Sequence, residues 1–228
     1  MLTLGIETSG KAGTVALRCH GEFLEQRSLD QAGRRHARSL VAEIAELFRA
    51  YDFQLRETQL VSVSIGPGSF TGLRVGVVCA KTLAYSTGCQ LAAVDTFLAV
   101  AENSPRDVSE VFVITDAQRG ELFLGRYCRD SDGLFQRQGE IEIVNRHVWC
   151  EERAQDDVVS GPGAVQFQDS LDDRCRILET PFCTPRADVV ARLGERLIER
   201  DAADDFWSLE PFYIRKSAAE EKWDRDHS

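Results

Sequence analysis

The feature that most constrains the fold of this chain is a glycine-rich turn between two apolar runs. It reads Ser64-Ile-Gly-Pro-Gly-Ser-Phe-Thr-Gly-Leu-Arg-Val-Gly76, and it joins the run Leu60–Ile65 to the almost wholly apolar run Leu73–Tyr85. This order predicts a buried strand, a tight turn and a helix start at the carboxyl edge of a sheet, where α/β proteins often bind anions or nucleotides. The turn matches neither a P-loop nor a dinucleotide pattern, so tight packing alone also explains it.

The rest of the chain predicts an α/β protein made of two similar halves. In each half, three strand-like runs come first and are followed by alternating strands and helices. Glu7 and Asp116 each close the first strand of a half, and the turns Gly66-Pro-Gly68 and Gly161-Pro-Gly163 each follow a later strand. This repeat predicts a duplicated ribonuclease-H-like (actin-like ATPase) fold, with two mixed β-sheets and flanking helices.

The segment Asn103-Ser-Pro-Arg-Asp107 marks the boundary between the halves. The predicted N-terminal subdomain covers residues 1–103 and carries the helices of a dimer interface. The predicted C-terminal subdomain covers residues 104–228 and ends in a charged tail. A helix is predicted to begin at Thr184-Pro185, because Thr is a good N-cap and Pro suits the first helical position.

The charge of the chain limits its partners. Apolar residues make up 43% of the 228 residues, which is enough for a substantial core, and the net charge is −10. A protein that holds tRNA by itself needs a basic face to neutralise several phosphates. The only modest basic cluster, Arg34–Arg38, opens a helix, and a solvated first turn explains it. Direct binding of nucleic acid by this chain alone is therefore disfavoured.

The N-terminus and the cysteines favour a cytoplasmic protein. Met1 runs straight into a strand-like segment without the features of a signal peptide. No apolar stretch approaches the roughly 18 residues that a membrane span needs. The seven cysteines are an odd number without a C-x-x-C pair. We therefore expect reduced thiols in the core, and neither a disulfide framework nor a zinc site.

The glycine-rich turn and four further blocks closely resemble the TsaB (YeaZ) family, in the glycoprotease-like branch of the actin/Hsp70/sugar-kinase superfamily. The blocks follow the family order along nearly the whole chain: Leu4–Ser9, Ala80–Ala84, Asp116–Phe123 and Glu210–Arg215. The resemblance implies a subunit of the machinery that makes threonylcarbamoyladenosine beside the tRNA anticodon. It also implies a catalytic paralogue (TsaD) and an ATPase (TsaE) as partners, with tRNA bound only through the complex.

The resemblance further implies a cleft in which two acid-tipped turns and two glycine turns face each other. Working members of the superfamily hold Mg-nucleotide there. In this chain Glu7 stands where the superfamily usually has Asp, which puts precise metal positioning in doubt. Ordinary turn roles also explain Glu7, Lys11 and Asp116. The candidate vestigial nucleotide cleft consists of Glu7, Thr8, Ser9, Gly66, Gly68, Ser69, Asp116, Gly161 and Gly163.

No catalytic residue and no metal site are predicted on this chain. The catalytic relative carries a His-x-x-x-His pair on the short helix after its glycine turn, with both ligands on one helical face. The matching stretch here, Ala93–Val100, has Thr96 and Val100 at those positions. Because Val has no donor atom and Thr is a poor ligand, we expect no cofactor on this chain alone, and ATP and metal in the partner subunits.

The helix after the glycine turn predicts a partner interface. Its small residues recur every four positions and would let another helix approach closely, although packing on its own sheet is the alternative. In the TsaB family the matching helices pair with TsaD, and they pair with each other when TsaD is absent. The predicted interface consists of Leu40, Ile44, Leu47, Phe48, Gly72, Leu73, Gly76, Ala80, Leu83 and Ala84.

These observations favour a non-catalytic scaffold subunit of the complex that transfers a threonylcarbamoyl group to tRNA. One alternative is a nucleotide-dependent kinase or ATPase of the same fold, which would use Glu7, Asp116 and the two glycine turns. A peptidase is the other, and it is much less favoured because neither a Ser/His/Asp order nor a metal-ligand motif is readable.

Overall fold

The first half of the computed structural model contains a five-stranded sheet and three helices. The model describes residues 1–10, 12–29, 36–171, 173–215 and 223. The elements of this half are β1 (Leu2–Glu7), β2 (Thr14–Cys19), β3 (Glu22–Ser28), α1 (His36–Ala50), β4 (Leu60–Gly66), α2 (Phe70–Thr87), β5 (Gln90–Asp95) and α3 (Thr96–Ala101). The strand order is β3-β2-β1-β4-β5. β1, β2 and β3 are antiparallel, whereas β4 and β5 run parallel to β1.

The second half repeats this plan. Its elements are β6 (Glu110–Gln118), β7 (Glu121–Arg129), β8 (Phe135–Asn145), α4 (Arg146–Glu151), β9 (Val158–Ser160), α5 (Pro162–Gln166), α6 (Gln168–Leu171), β10 (Arg176–Ile177) and α7 (Ala187–Glu199). The strand order is β8-β7-β6-β9-β10, again with three antiparallel strands and two strands parallel to the first. The two sheets therefore have the same order and the same directions. The predicted duplicated fold is confirmed.

The central strands of the first sheet are apolar on both faces because helices cover both faces. α1 and α2 bury their apolar stripes against one face, where Leu4, Ile6 and Val63 belong to the same core cluster as Leu47 and Val77. α7 covers the opposite face and contacts β1, β2, β4 and β5. The carboxyl ends of β1 and β4 are thereby held between two helical layers.

The chain after residue 103 does not stay within the second half. Gly194 of α7 lies so close to β4 that an added Cβ would overlap the Ser62 hydroxyl. Arg18 of β2 and Glu195 of α7 form an ion pair at 3.1 Å, with both side chains only 10% exposed. The predicted boundary at residue 103 therefore separates the two sheets, but α7 of the predicted C-terminal subdomain packs on the first sheet.

At Phe167 the backbone leaves the helical conformation, with φ −114° and ψ 26°, and this separates α5 from α6. Among the described residues, no helix is long and apolar enough to cross a membrane. Lys11 and the side chains of the basic cluster Arg34–Arg38 lie outside the described residues.

The cysteines are free thiols. Cys150 and Cys183 are buried and the other five are partly buried. Burial raises the pKa of the Cys79 thiol to about 11. This thiol therefore stays protonated at neutral pH, and a protonated thiol is a weak nucleophile and a weak metal ligand.

Candidate functional site

The turns that follow β1 and β4 are hydrogen-bonded to each other at the carboxyl edge of the first sheet. Glu7 closes β1, and its Oε1 accepts hydrogen bonds from the backbone amide of Ser9 at 2.6 Å and from the Ser9 hydroxyl at 2.5 Å. The Ser9 carbonyl accepts a hydrogen bond from the Ser69 amide at 2.7 Å. Ser69 caps α2, since its hydroxyl accepts from the Gly72 amide at 3.2 Å. The acid-tipped turn and the glycine turn of this half therefore form one connected unit.

Close packing accounts for the glycines of this unit. Gly66 has a φ of +121°, which L side chains rarely adopt. An added Cβ on Gly68 would lie 2.6 Å from the Ser9 carbonyl oxygen, and one on Gly72 would overlap the Thr8 carbonyl oxygen. Thr8 is itself fully buried between β1 and α2. The turn and the start of α2 thus depend on small residues for their approach to β1.

The two positions aligned with the metal ligands of the catalytic relative have packing roles here. The Thr96 hydroxyl accepts a hydrogen bond from the Gly66 amide at 3.0 Å and holds the glycine turn against the start of α3. Val100 is fully buried in the core of the second half. In the part of the chain that the structure describes, no cluster of three or more His, Cys, Asp or Glu side chains could hold a metal ion.

Glu7 is held as a buried carboxyl group. Burial raises its pKa above the ordinary value, and this effect outweighs the opposing influence of the Ser9 amide and hydroxyl, which donate to it, and of the nearby Ser64 hydroxyl and Gly10 amide. Its side chain is fully enclosed, so its geometry suits anchoring the turn better than binding an ion from solvent. Sequence reasoning named Thr96 only as a position without a metal ligand, and it missed the hydrogen bond that ties Thr96 to the glycine turn.

Glu7→Gln should increase stability at neutral pH. The folded-state pKa of Glu7 is raised above 4.5. Between pH 4.5 and that raised pKa, the folded chain holds the proton while the unfolded chain releases it. Wild-type stability therefore falls as the pH rises from about 4.5 through the folded-state pKa, whereas the Gln variant lacks this loss. The difference in melting temperature between variant and wild type should grow from pH 4.5 to pH 7.5. Exposed Glu210→Gln is the control, and a Glu7→Gln variant less stable at pH 7.5 would contradict the expectation.

The second half contains the matching pair of turns. The Asp116 Oδ1 accepts a hydrogen bond from the Gln118 amide at 2.8 Å, and its Oδ2 accepts from the side-chain amides of Gln118 and Gln166 at 3.0 and 3.1 Å. Gly161 has a φ of +98°. An added Cβ on Gly163 would lie 2.9 Å from the Ile114 carbonyl oxygen. Each half thus packs an acid-tipped strand end against a glycine turn.

Comparison with known proteins agrees with this architecture. Residues 29–141 match the family model described as TsaD, tRNA N6-adenosine threonylcarbamoyltransferase. The chain is 28% identical to the tRNA threonylcarbamoyladenosine biosynthesis protein TsaB of Bacillus subtilis over 98% of both chains. It is 24% identical to the protein of the same name from Escherichia coli, over 97% of this chain and 98% of that protein. The solved structure of YeaZ from Pseudomonas aeruginosa has a TM-score of 0.80 at 22% identity, covering 93% of this chain and 99% of that one.

The chain belongs to the TsaB (YeaZ) family. The vestigial nucleotide cleft between the two pairs of turns stays a prediction.

The structure corrects the residues predicted for the partner interface. Most of them are buried inside this TsaB-family chain, where they pack α1 and α2 on their own sheet. Gly72 and Gly76 face Thr8, which directly follows β1, so the ridge of small residues packs on this chain's own first sheet and its turn and not on a second helix. Only Leu83 is partly exposed. The buried members are Leu40, Ile44, Leu47, Phe48, Gly72, Leu73, Gly76, Ala80 and Ala84.

A different face of α2 is available to a partner. Val78 is 63% exposed and Tyr85 is 68% exposed, and Val41 on the neighbouring α1 is 68% exposed. α2 carries two charged residues, Arg74, which is exposed, and Lys81, which is partly buried. The exposed residues of this fully described helix are Thr71, Arg74, Val78, Thr82, Tyr85 and Ser86, so Arg74 is the one charge on its outer face.

The charged residues of α2 are held by the last described segment of the chain. The Arg74 Nε donates to the Tyr213 hydroxyl at 2.9 Å. The Lys81 Nζ donates to the carbonyl oxygens of Trp207 and Leu209 at 3.3 and 3.0 Å. These hydrogen bonds fix the side chains of Arg74 and Lys81 against the C-terminal segment. Sequence reasoning missed this arrangement because the partners lie more than 120 residues apart.

Proposed function

We propose that this chain is a non-catalytic scaffold subunit of the cytoplasmic complex that transfers a threonylcarbamoyl group to the adenosine beside the tRNA anticodon. A role in threonylcarbamoyladenosine biosynthesis is supported by similarity over the full chain to the proteins of that pathway from Bacillus subtilis and Escherichia coli. The observation that carries the scaffold role is the outer face of α2, where Val78 and Tyr85 are exposed.

This face has the character of a protein interface. Exposed apolar side chains that form a continuous patch are typical of protein–protein contacts. Val78 and Tyr85 lie seven residues apart on one face of α2, and Val41 lies on the helix beside it. The partner on this face would be a TsaD-like catalytic paralogue, or a second copy of this chain when the paralogue is absent. A TsaE-like ATPase would dock near that junction.

The state of Glu7 and Asp116 supports the proposed absence of catalysis on this chain. An enzyme that hydrolyses a nucleotide would need the two carboxylates free to position a metal ion. Glu7 is fully buried, and Asp116 is engaged by amide hydrogen bonds. In this proposal the chain binds no cofactor, and ATP and metal are bound by the partner subunits. Because its net charge is −10, the chain would meet tRNA only through the complex.

Reconstitution tests the proposal. The purified chain, mixed with tRNA and threonylcarbamoyl-adenylate, should give no threonylcarbamoyladenosine. Product should form when the TsaD-like and TsaE-like proteins and ATP are added, and it should be lost when this chain is then omitted. Product from this chain alone would contradict the scaffold role. Saturable binding of Mg-ATP to the isolated chain by calorimetry would favour the nucleotide-dependent kinase or ATPase.

A further inference from the structure

The segment Asp204–Arg215, here called the C-terminal strap, runs from one half of the molecule to the other. It begins at β5, the edge strand of the first sheet. The Asp204 amide donates to the Leu91 carbonyl at 2.9 Å, and the Ala93 amide donates to the Asp204 carboxylate at 2.7 Å. The strap therefore starts by pairing with an edge that the sheet itself leaves open.

The middle of the strap is fastened to the first half. Leu209 is buried in the core beneath α1 and α2, and Phe206 packs against the same core. Lys81 of α2 holds the carbonyl groups of the strap at two positions. Tyr213 packs on Phe70 at a ring distance of 5.1 Å, beside the guanidinium of Arg74. This part of the strap is anchored by both apolar burial and hydrogen bonds.

The end of the strap crosses to the second half. The Phe212 amide donates to the Ile65 carbonyl at the end of β4, at 2.7 Å. Three residues later, Arg215 donates to the Ala117 carbonyl at 2.6 Å and forms an ion pair with Glu121. Ala117 and Glu121 lie on either side of the turn that joins β6 to β7 in the second sheet. Between these contacts, Ile214 packs against the core of the second half.

β7 is consequently tied to the first half at both of its ends. At one end Glu121 is held by Arg215. At the other end, the Tyr127 hydroxyl donates to the carboxylate of Asp95, which closes β5, at 2.7 Å. The two ties are about 20 Å apart along the strand. With both ties in place, the second sheet cannot swing about one tie without breaking the other.

We propose that the C-terminal strap is a clamp that sets the angle between the two halves, with Arg215 as its closing contact. Without Arg215, β7 would keep its contacts near the other end, the Tyr127 bond to Asp95 and the packing of Phe97 on Gly125, and the halves would hinge about Asp95 and α3. Opening would then expose the β4–α2 turn and the β6–β7 hairpin together, although they belong to different sheets. The clamp is a property of the isolated chain, so it holds or fails independently of any partner.

Hydrogen exchange of the full chain, followed by mass spectrometry, tests the clamp. Arg215→Ala should raise exchange by about tenfold, in parallel, in peptides that cover residues 65–72 and residues 117–121, as expected for the loss of a charge-assisted hydrogen bond. Arg215→Lys, which keeps the charge, should give a smaller increase in the same two peptides. Arg176→Ala removes an ion pair with Asp107 at 2.8 Å and should leave both peptides unchanged.

The clamp is overturned if exchange rises only within the strap, in only one of the two peptides, or in neither. It is equally overturned if Arg176→Ala gives the same increase as Arg215→Ala. Should Arg215→Ala fail to fold, Arg215→Gln is judged by the same criterion, because it keeps a polar side chain but removes the charge that pairs with Glu121.

Discussion

Gly72→Ala should lower the free energy of unfolding by about 2–3 kcal/mol. Gly72 lies on the inner face of α2, where an added Cβ would overlap the Thr8 carbonyl oxygen. Alanine favours a helix over glycine by about 1 kcal/mol, so the overlap must outweigh a real gain. At this chain length the expected fall in melting temperature is about 5–10 °C, which thermal unfolding followed by circular dichroism would measure.

Gly10→Ala is the matched control for this change. Gly10 lies in the turn after β1, and an added Cβ there meets nothing within 4 Å. Its stability should stay within about 0.5 kcal/mol of wild type. A Gly72→Ala variant as stable as Gly10→Ala would show that α2 and β1 are not in close contact. If that variant also lost its self-association, the ridge of small residues would face a partner helix after all.

The sequence predicts the fold well because the signals that define it are local. The run Leu60–Ile65, the glycine turn and the long apolar helix follow one another directly, and they form β4, the turn and α2. The strand triplets of both halves are equally legible, since each is a set of short apolar runs separated by turn residues. Repetition of the pattern then implies two sheets of one design, as the structure confirms.

The packing of α7 is not legible in the sequence. Its apolar stripe and its start near Thr184-Pro185 predict a helix, and α7 begins at Ala187. No local pattern says which sheet the helix will cover. That choice depends on contacts such as Gly194 against Ser62 and Arg18 with Glu195, which join residues more than 100 positions apart.

The candidate interface shows a second limit. The spacing of Gly72, Gly76, Ala80 and Ala84 correctly indicates that α2 approaches something closely. Spacing cannot distinguish a partner helix from the chain's own β1, because both require the same small residues. The exposed face is visible only in the structure, because the exposure of Val78 and Tyr85 and the bonds of Arg74 and Lys81 to the strap depend on packing between distant parts of the chain.

Val78→Asp should weaken association of the chain with its partner by at least about 30-fold. Val78 is 63% exposed at the middle of the outer face of α2. Covering that face with another helix would take the new carboxylate out of water while the nearby Arg74 and Lys81 are already bonded to the strap, which opposes binding by about 2 kcal/mol or more. Analytical ultracentrifugation would report self-association, and a titration with the cognate TsaD-like protein would report the heterologous complex.

Val148→Asp provides the comparison that makes this result specific. Val148 is a valine of similar exposure, 53%, on α4 of the second half. The two variants add the same charge to an exposed helix, so a general effect of acidity on solubility or stability would appear in both. If Val78→Asp stays folded and still binds both partners as tightly as Val148→Asp does, the interface lies elsewhere. Loss of both complexes in Val78→Asp alone would place the second copy and the catalytic paralogue on the same face of α2, where they must compete.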